Sequence, residues 1–249
     1  MFTVALIGPD GVGKTTVAKL LETSFQLPVK YIYMGFSAEA SNYMLPTTRW
    51  WEQRKRKQKK TRFKGKPAQS LDQTANPSRA PRPLTKGFVR GAIRIAVFMR
   101  KTSAALIKGL GFINRIFEEW YRQLIAFAYK KRGYVVVFDR HFIYDCYHRD
   151  IEGSRDDFSP KRRLHGLFLK HTLSEPDLVI YMDAPGEVVF RRKGEFTPEV
   201  LETKRSQYLS LKKVAKNFAV VDANRNLDLV VRDVGSLIHR YSQTRRNGP

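Results

Sequence analysis

The stretch that decides the fold is GPDGVGKTT, residues 8–16, near the start of a chain of 249 residues. The pattern G-x-x-x-x-G-K-[ST] is satisfied by Gly8, Gly13, Lys14 and Thr15. An apolar run, FTVALI (residues 2–7), precedes it and is typical of a strand buried on both faces. The segment that follows, TVAKLLETSF (residues 16–25), has apolar residues at helical spacing. The sequence therefore predicts a strand, a glycine-rich turn and a helix in succession.

That succession is the context in which a glycine-rich turn binds phosphate. Glycines let consecutive backbone N–H groups point at phosphate oxygens, and the helix N-terminus adds its partial positive charge. The lysine of the pattern reaches the β- and γ-phosphates, and the Ser/Thr hydroxyl binds Mg²⁺. We therefore expect a site for ATP and Mg²⁺, whose candidate nucleotide-binding residues are Gly8, Gly11, Val12, Gly13, Lys14, Thr15 and Thr16.

Further short apolar runs indicate the rest of a sheet. They lie at residues 29–34, 134–139, 177–183 and 218–223, with helical patterns between the later ones. Strands that alternate with helices favour an α/β fold, a doubly wound and mainly parallel sheet with helices on both faces. We expect one such domain over residues 1–249.

Two of these runs end in an aspartate that is a candidate for the metal site. In YVVVFDR (residues 134–140) Asp139 ends the strand and Arg140 follows it. Open α/β folds bind ligands at the carboxyl edge of the sheet, so Asp139 is expected beside the Mg²⁺ and Arg140 in the same crevice. Asp183 ends a strand in the same way and competes for the metal role. We prefer Asp139 because Arg140 follows it.

Two more charged features belong to the same candidate site. Asp10 lies inside the glycine-rich loop, where it either contacts the phosphoryl acceptor or only braces the loop. FRRKGE (residues 190–195) supplies three basic residues before a polar segment. This suits a mobile lid over residues 190–200 that brings positive charge to the transferring phosphoryl group. A solvated basic helix end is the alternative interpretation.

Composition limits the partners and the compartment. Lys and Arg number 46 against 23 Asp and Glu, a formal charge of +23 that favours anionic partners. Cys146 is the single cysteine, which excludes an intrachain disulfide and agrees with a reducing cytoplasm. No signal-peptide pattern precedes the first strand, and basic residues interrupt the apolar region at 88–117, so we expect neither secretion nor a membrane span.

Residues 38–87 break the alternation of strands and helices and are interpreted as a flexible basic and Pro/Ser-rich insertion. Residues 49–66, RWWEQRKRKQKKTRFKGK, suit peripheral contact with an anionic membrane at the inner face. The same charges would attract nucleic acid, but no recognition module accompanies them, so nucleic acid is disfavoured. A solvated loop also explains them. Helical spacing returns over residues 87–117, either as core packing or as contact with a membrane or a partner subunit, and a second helix-like stretch follows at 118–133.

The motifs together resemble the thymidylate kinases and their relatives among the P-loop nucleoside monophosphate kinases. The resemblance rests on GPDGVGKTT, RGYVVVFDRH, PDLVIYMDAPGEVVFRRKGE and VVDANRNLDLVVRDVGSLI, and covers residues 1–24 and about 118–241. It implies that Lys14 and Thr15 engage ATP and Mg²⁺, and that Asp10 contacts the acceptor nucleotide. It further implies that Arg140 contacts the acceptor phosphate and that Arg192 is a lid arginine. The backbone at Ala223 and Asn224 would lie against adenine.

The segments that would bind the acceptor depart from that family. After the second strand the family usually has an Arg-Glu-Pro-Gly-Gly-like segment, whereas this chain has YMGFSAEASN. The helix before the DR pair usually carries an arginine near the acceptor, at a place that here holds Glu118, with Arg122 one turn later. His141, after the DR pair, could line the acceptor pocket.

The sequence is therefore compatible with three functions. The first is a phosphotransferase that moves the ATP γ-phosphate to a nucleoside monophosphate, with dTMP as the first choice. The second is a membrane-associated kinase of a glycan precursor or lipid-linked acceptor, and the third is a nucleic-acid-associated ATPase or switch. Each of these functions is compatible with a homodimer.

Overall fold

The computed structural model describes residues 1–35, 37, 40–50, 53–54, 86–147 and 160–247. The chain forms two compact units, one of Met1–Met44 with Glu119–Pro249 and the other of Leu45–Glu118. Most of the predicted insertion at 38–87, including most of the basic run at 49–66, lies outside the described residues. Its flexibility and its membrane contact therefore stay predictions.

The first unit contains a sheet of five parallel strands in the order β2-β3-β1-β4-β5. The strands are β1 (Thr3–Ile7), β2 (Val29–Tyr33), β3 (Val135–Asp139), β4 (Leu178–Asp183) and β5 (Phe218–Asp222). Each lies within one of the five apolar runs of the sequence, so the predicted doubly wound parallel sheet is confirmed. The prediction succeeds because strands covered on both faces must be apolar on both.

The helices whose bounds the structure gives are α1 (Lys14–Ser24), α2 (Lys86–Lys131), α3 (Phe142–Cys146), α4 (Pro160–Thr172), α5 (Gly186–Lys193), α6 (Pro198–Ser210) and α7 (Leu227–Asn247), and residues 46–50 are also helical. A single 3₁₀ turn, Leu211–Lys213, follows α6. The helix-like stretches at 87–117 and 118–133 were expected as two helices, and this is wrong, because α2 runs through both. Nothing between them breaks a helix: no proline lies between residues 86 and 131. Along the described helices, no stretch is long and apolar enough to cross a bilayer.

Side chains alternate between the two faces of the sheet and build two cores. Val4 and Leu6 of β1 point to the side covered by α1 and α7, whereas Ala5 and Ile7 point to the side covered by α2, α3 and α4. All four are fully buried. Helices on both faces leave the ends of the strands as the place where polar side chains reach solvent.

The strand order fixes which of those ends carries the site. β1 is central, between β3 and β4, and the chain moves to one side of β1 first and to the other side afterwards. This is the switch point at which open α/β sheets bind ligands. In the ladder Leu6 pairs with Asp139, and Ile7 pairs with Tyr181, two residues before Asp183, so the aspartates that end β3 and β4 both lie at the edge from which the loop after β1 starts.

Candidate active site

The loop between β1 and α1 has the backbone that its glycines predict. Gly8, Gly11 and Gly13 have φ values of 142°, 96° and 100°, in the region that side chains rarely adopt. At Gly8 a Cβ would also lie 2.9 Å from the carbonyl oxygen of Met182. α1 starts at Lys14 with no side-chain cap on its first N–H groups, so these groups remain suited to an anion.

Lys14 lies inside this loop. Its ammonium donates hydrogen bonds to the carbonyl oxygens of Gly8 at 2.8 Å and Pro9 at 2.7 Å, and its side chain is buried. Burial lowers the pKa of Lys14, and the nearby carboxylates of Asp139 and Asp145 oppose that effect. The ammonium is therefore already positioned among the backbone groups that would surround a phosphate chain.

Thr15 and Asp139 form the part of the site that suits a metal ion. The Thr15 hydroxyl donates to Oδ2 of Asp139, and the Tyr31 hydroxyl donates to the same oxygen at 3.4 Å. Asp139 is fully buried, burial raises its pKa, and its Oδ1 has no hydrogen-bond partner among the described residues. A buried carboxylate oxygen left without a donor, beside a hydroxyl at the phosphate loop, fits Mg²⁺, which prefers oxygen ligands and keeps water and phosphate as the others.

The competing aspartate has a different role in the structure. Both carboxylate oxygens of Asp183 accept hydrogen bonds from Arg205 of α6, at 2.7 and 2.8 Å. These bonds are the main reason that the pKa of Asp183 is lowered. Asp183 therefore ties α6 to the sheet, and the geometry favours Asp139 as the metal-side carboxylate.

Arg140 lies between two carboxylates at the same edge. Its guanidinium pairs with Asp10 of the loop, and Nη1 is 3.8 Å from Oδ2 of Asp145 on α3. Arg140 has a φ of 73°, which is uncommon outside glycine and, for a bulky side chain, costs free energy. Its N–H donates to the carbonyl oxygen of Leu6, which holds that backbone in place. The structure thus brings Asp10 and Arg140 together, and the Asp10 carboxylate faces Lys14 as well, 3.9 Å away.

The segment after β2 approaches Arg140 so closely that it needs a glycine. A Cβ on Gly35 would lie 2.5 Å from Cδ of Arg140 and 2.4 Å from the Tyr33 hydroxyl oxygen. The buried Arg122 braces this segment, because its guanidinium donates to the carbonyl oxygens of Tyr33, Gly35 and Tyr43. The arginine one turn after Glu118 therefore shapes the wall of the site through the backbone.

Gly35→Ala is predicted to displace the side chain of Arg140. Relieving two contacts of about 2.5 Å requires Arg140 or Tyr33 to move. We expect the KM for the phosphate acceptor to rise by about tenfold while the KM for ATP stays unchanged. Steady-state kinetics with each substrate varied in turn would measure this. Gly109→Ala is the matched control, because nothing lies within 4 Å of its added Cβ; equal kinetics in the two variants would contradict the prediction.

The lid-like segment and the predicted adenine-side backbone meet through Arg192. Its Nη1 donates to the carbonyl oxygen of Ala223 at 3.1 Å, and the N–H of Asn224 donates to Oδ1 of Asp222. Arg192 lies in the last turn of α5, and the next residue, Lys193, is packed against the loop at Gly11. The end of α5 is therefore next to the phosphate loop, where a lid would have to act.

His141 is fully buried, and its ring nitrogens have no hydrogen-bond partner in the described part of the chain. Burial lowers the pKa of His141 to about 3, so its imidazole is neutral. Its ring packs between those of Phe138 and Tyr144, at centroid distances of 5.4 and 5.7 Å. The structure therefore surrounds His141 with aromatic rings and leaves no exposed surface to line a pocket.

Sequence reasoning missed Gly35, Asp145 and Tyr208 as residues of this site. Tyr208 of α6 donates a hydrogen bond to Oδ1 of Asp145 at 3.1 Å. The two residues are far apart in the chain and neither belongs to a motif. Of the three residues, only Gly35 has a local sequence signal, because it is a glycine that follows a strand, in YMGFS.

Comparison with known proteins gives a local sequence match. No protein-family model matches the chain. It is 27% identical over 77 residues to a thymidylate kinase of Thermosipho africanus (strain TCF52B), a match over 28% of this chain and 38% of that protein. The match thus spans well under half the length of this curated relative.

Solved structures match over almost the whole chain. A thymidylate kinase from Candida albicans aligns with a TM-score of 0.54 and 15% identity, over 97% of this chain and 92% of that one. A deoxyadenosine kinase from M.mycoides with bound dATP aligns with a TM-score of 0.49 and 16% identity, over 96% and 100%. The chain therefore shares the fold of the thymidylate kinase from Candida albicans and has a local sequence match to another thymidylate kinase, and the resemblance to the thymidylate-kinase-like proteins is confirmed at those two levels.

Proposed function

We propose that this protein is an ATP- and Mg²⁺-dependent phosphotransferase that moves the γ-phosphate to a nucleoside monophosphate, with dTMP as the first acceptor to test. The observation that carries the proposal is Arg140, paired with Asp10 of the phosphate loop at the edge where Lys14, Thr15 and Asp139 also meet. A cation that is paired with the loop but directly follows the neighbouring strand β3 suits a second bound anion, which transfer to water would not need.

Each residue has a role that follows from its position. Lys14 and the loop N–H groups bind the phosphates of the donor, and Thr15 with Asp139 would hold the metal ion, which supplies charge neutralisation when bound. Arg140 binds the acceptor phosphate and orients it for in-line attack, and Asp10 fixes the guanidinium. Arg192 joins the end of α5 to Ala223, so that a nucleotide base at Ala223 and Asn224 would lie between elements already connected. Catalysis of this kind depends on positioning and electrostatics.

The acceptor is tested by measuring ADP release from ATP and Mg²⁺ with dTMP, with each other nucleoside monophosphate, and with water alone. We expect dTMP or a related monophosphate to raise the rate at least about tenfold above water. Equal rates in all these reactions would contradict the proposal. They would favour the glycan or lipid-linked acceptor, or, if nucleic acid stimulates hydrolysis, the ATPase.

The proposal also covers the location of the protein and its contact with a membrane. A cytoplasmic location is in keeping with a nucleotide substrate, and contact of residues 49–66 with the anionic inner membrane face stays a prediction on residues that are mostly not described. Deleting 49–66 should leave nucleotide turnover intact. It should abolish binding to anionic liposomes if that segment forms the contact.

We also propose that the chain pairs with a second copy through α2. Trp120, Leu124 and Phe127 are 45%, 60% and 54% exposed, at the three- and four-residue spacing of a seam between helices. They line a pocket of about 260 Å³ whose charged lining residues are Lys130 and Glu175. These two residues have opposite charges, so in the two-fold interface that we propose each lysine would face the partner's glutamate. Glu175 in the lining would repel an anionic membrane surface, which favours a protein partner.

Leu124→Asp is the variant that tests this contact. A charge in the centre of an apolar seam should raise the Kd of the dimer by at least about thirtyfold. Light scattering during size-exclusion chromatography would follow the mass across protein concentrations. The control is Leu229→Asp, an exposed leucine of α7 on the other side of the sheet. A wild-type protein that is monomeric at all concentrations would refute the dimer.

A further inference from the structure

Lys204 of α6 is a cation that no motif singled out. Its ammonium lies 3.3 Å from the ring centroid of Phe196. Among the residues that the structure describes, no carboxylate lies within ion-pair distance of it. The lysine is half-buried, and its nearest compensating groups are the aromatic face of Phe196 and, at longer range, the carboxylate of Glu195.

A series of contacts connects the helix of Lys204 to Arg140. Tyr208 is one turn later on the same face of α6, and its hydroxyl donates to Asp145, whose other oxygen is 3.8 Å from Arg140. The pKa of Lys204 is lowered by burial and, next, by the positive charge of Arg140. Tyr208 and Asp145 thus connect the helix that carries Lys204 to Arg140, whose positive charge acts on the ammonium.

Phe196 holds the ammonium from the other side. It has a φ of 64° and a side chain that is 51% exposed, between α5 and α6. Phenylalanine rarely adopts this backbone conformation, and strain of this kind is concentrated at functional sites. The conformation places an exposed ring against Lys204, and fixes the cation at the cost of backbone strain.

We propose that Lys204 and Arg140 together bind a phosphate group at the acceptor end of the site, and that Lys204 is a specificity-determining residue for a phosphorylated acceptor. Asp10 and Asp145 offset the charge of Arg140, but no described carboxylate pairs with Lys204, so an anion that contacts both cations would be favourable. Phosphate is such an anion and accepts hydrogen bonds from both. The inference rests on the proposed function. The phosphate is either that of the acceptor or the one being transferred, and the kinetic experiment distinguishes the two.

The direct test measures inorganic phosphate binding by ³¹P NMR with saturating MgADP present to occupy the phosphate loop. In Lys204→Ala the Kd for phosphate should rise by roughly tenfold to a hundredfold. Lys204→Arg should keep most of the affinity, and Lys212→Ala, an exposed lysine in the turn after α6, should equal the wild type. Unchanged affinity in Lys204→Ala, or no phosphate binding by the wild type, would overturn the proposal.

Kinetics identify which phosphate Lys204 contacts. If it binds the acceptor, Lys204→Ala raises the acceptor KM with little change in kcat; if it contacts the transferring group, kcat falls and KM stays. Unchanged values of both would overturn the proposal. A wild type that no acceptor stimulates refutes the proposed function, whereas the phosphate measurement still decides the role of Lys204.

Discussion

Replacing Lys14 by alanine is expected to lower kcat by about a hundredfold to a thousandfold. In the structure the ammonium is buried in the loop, held by the carbonyl oxygens of Gly8 and Pro9 and close to the carboxylate of Asp10. Lys193 packs only against the outside of the loop at Gly11, so the variant loses the one described ammonium that the loop itself holds. Loss of one such fixed donor in a water-poor site costs about two to three powers of ten in kcat. Steady-state ADP release by the purified variant would measure the loss.

The control for this variant lies one turn further along the same helix. Lys19 is an exposed residue of α1, and Lys19→Ala should retain wild-type kcat. Both variants should stay folded, which circular dichroism and thermal unfolding would verify. Undiminished turnover in Lys14→Ala would show that the loop does not bind the reacting phosphates.

Asp139→Asn is expected to raise the Mg²⁺ concentration for half-maximal activity by at least about tenfold and to lower kcat. The carboxylate is buried, and its Oδ2 accepts a hydrogen bond from the Thr15 hydroxyl. Its Oδ1 has no hydrogen-bond partner among the described residues. An amide keeps the shape but presents a neutral oxygen and an NH₂ group. Mg²⁺ binds such a group far less well than a carboxylate. Titration of activity with Mg²⁺ and with Mn²⁺ gives the comparison.

Asp183→Asn is the matched control, because Asp183 ends the neighbouring strand β4. Its oxygens are occupied by Arg205, and the pair is partly exposed. The substitution should therefore lower the free energy of unfolding by about 1 kcal/mol or less and leave the Mg²⁺ dependence unchanged. If Asp183→Asn shifted the Mg²⁺ dependence and Asp139→Asn did not, the metal-side carboxylate would be Asp183.

The sequence predicts the sheet well for a physical reason. β1, β3 and β4 are buried on both faces, so their residues form continuous apolar runs, and the glycine loop marks which strand is first. The helices are harder to delimit, because helical spacing alone does not show where one helix ends. Without a proline or a cap at Phe117, α2 continues to Lys131.

The residues of the candidate site that follow strands could be predicted from the sequence, and those on helices could not. Lys14, Thr15, Asp139 and Arg140 follow strands, so the sheet necessarily brings them to one edge. Asp145 and Tyr208 reach Arg140 only because α3 and α6 come together there, and helical residues carry no local mark of such contacts. His141 shows the opposite failure: its position after the DR pair suggested a pocket residue, yet the structure buries its ring.

Phosphoryl transfer to a nucleoside monophosphate is tested by incubating the protein with dTMP and ATP that carries a radiolabelled γ-phosphate, and by separating dTDP from ATP and inorganic phosphate by chromatography. We expect label in dTDP with the wild type and little label there with Arg140→Ala, which lacks the guanidinium paired with Asp10. Label in inorganic phosphate alone, at the same rate with and without dTMP, would contradict this expectation.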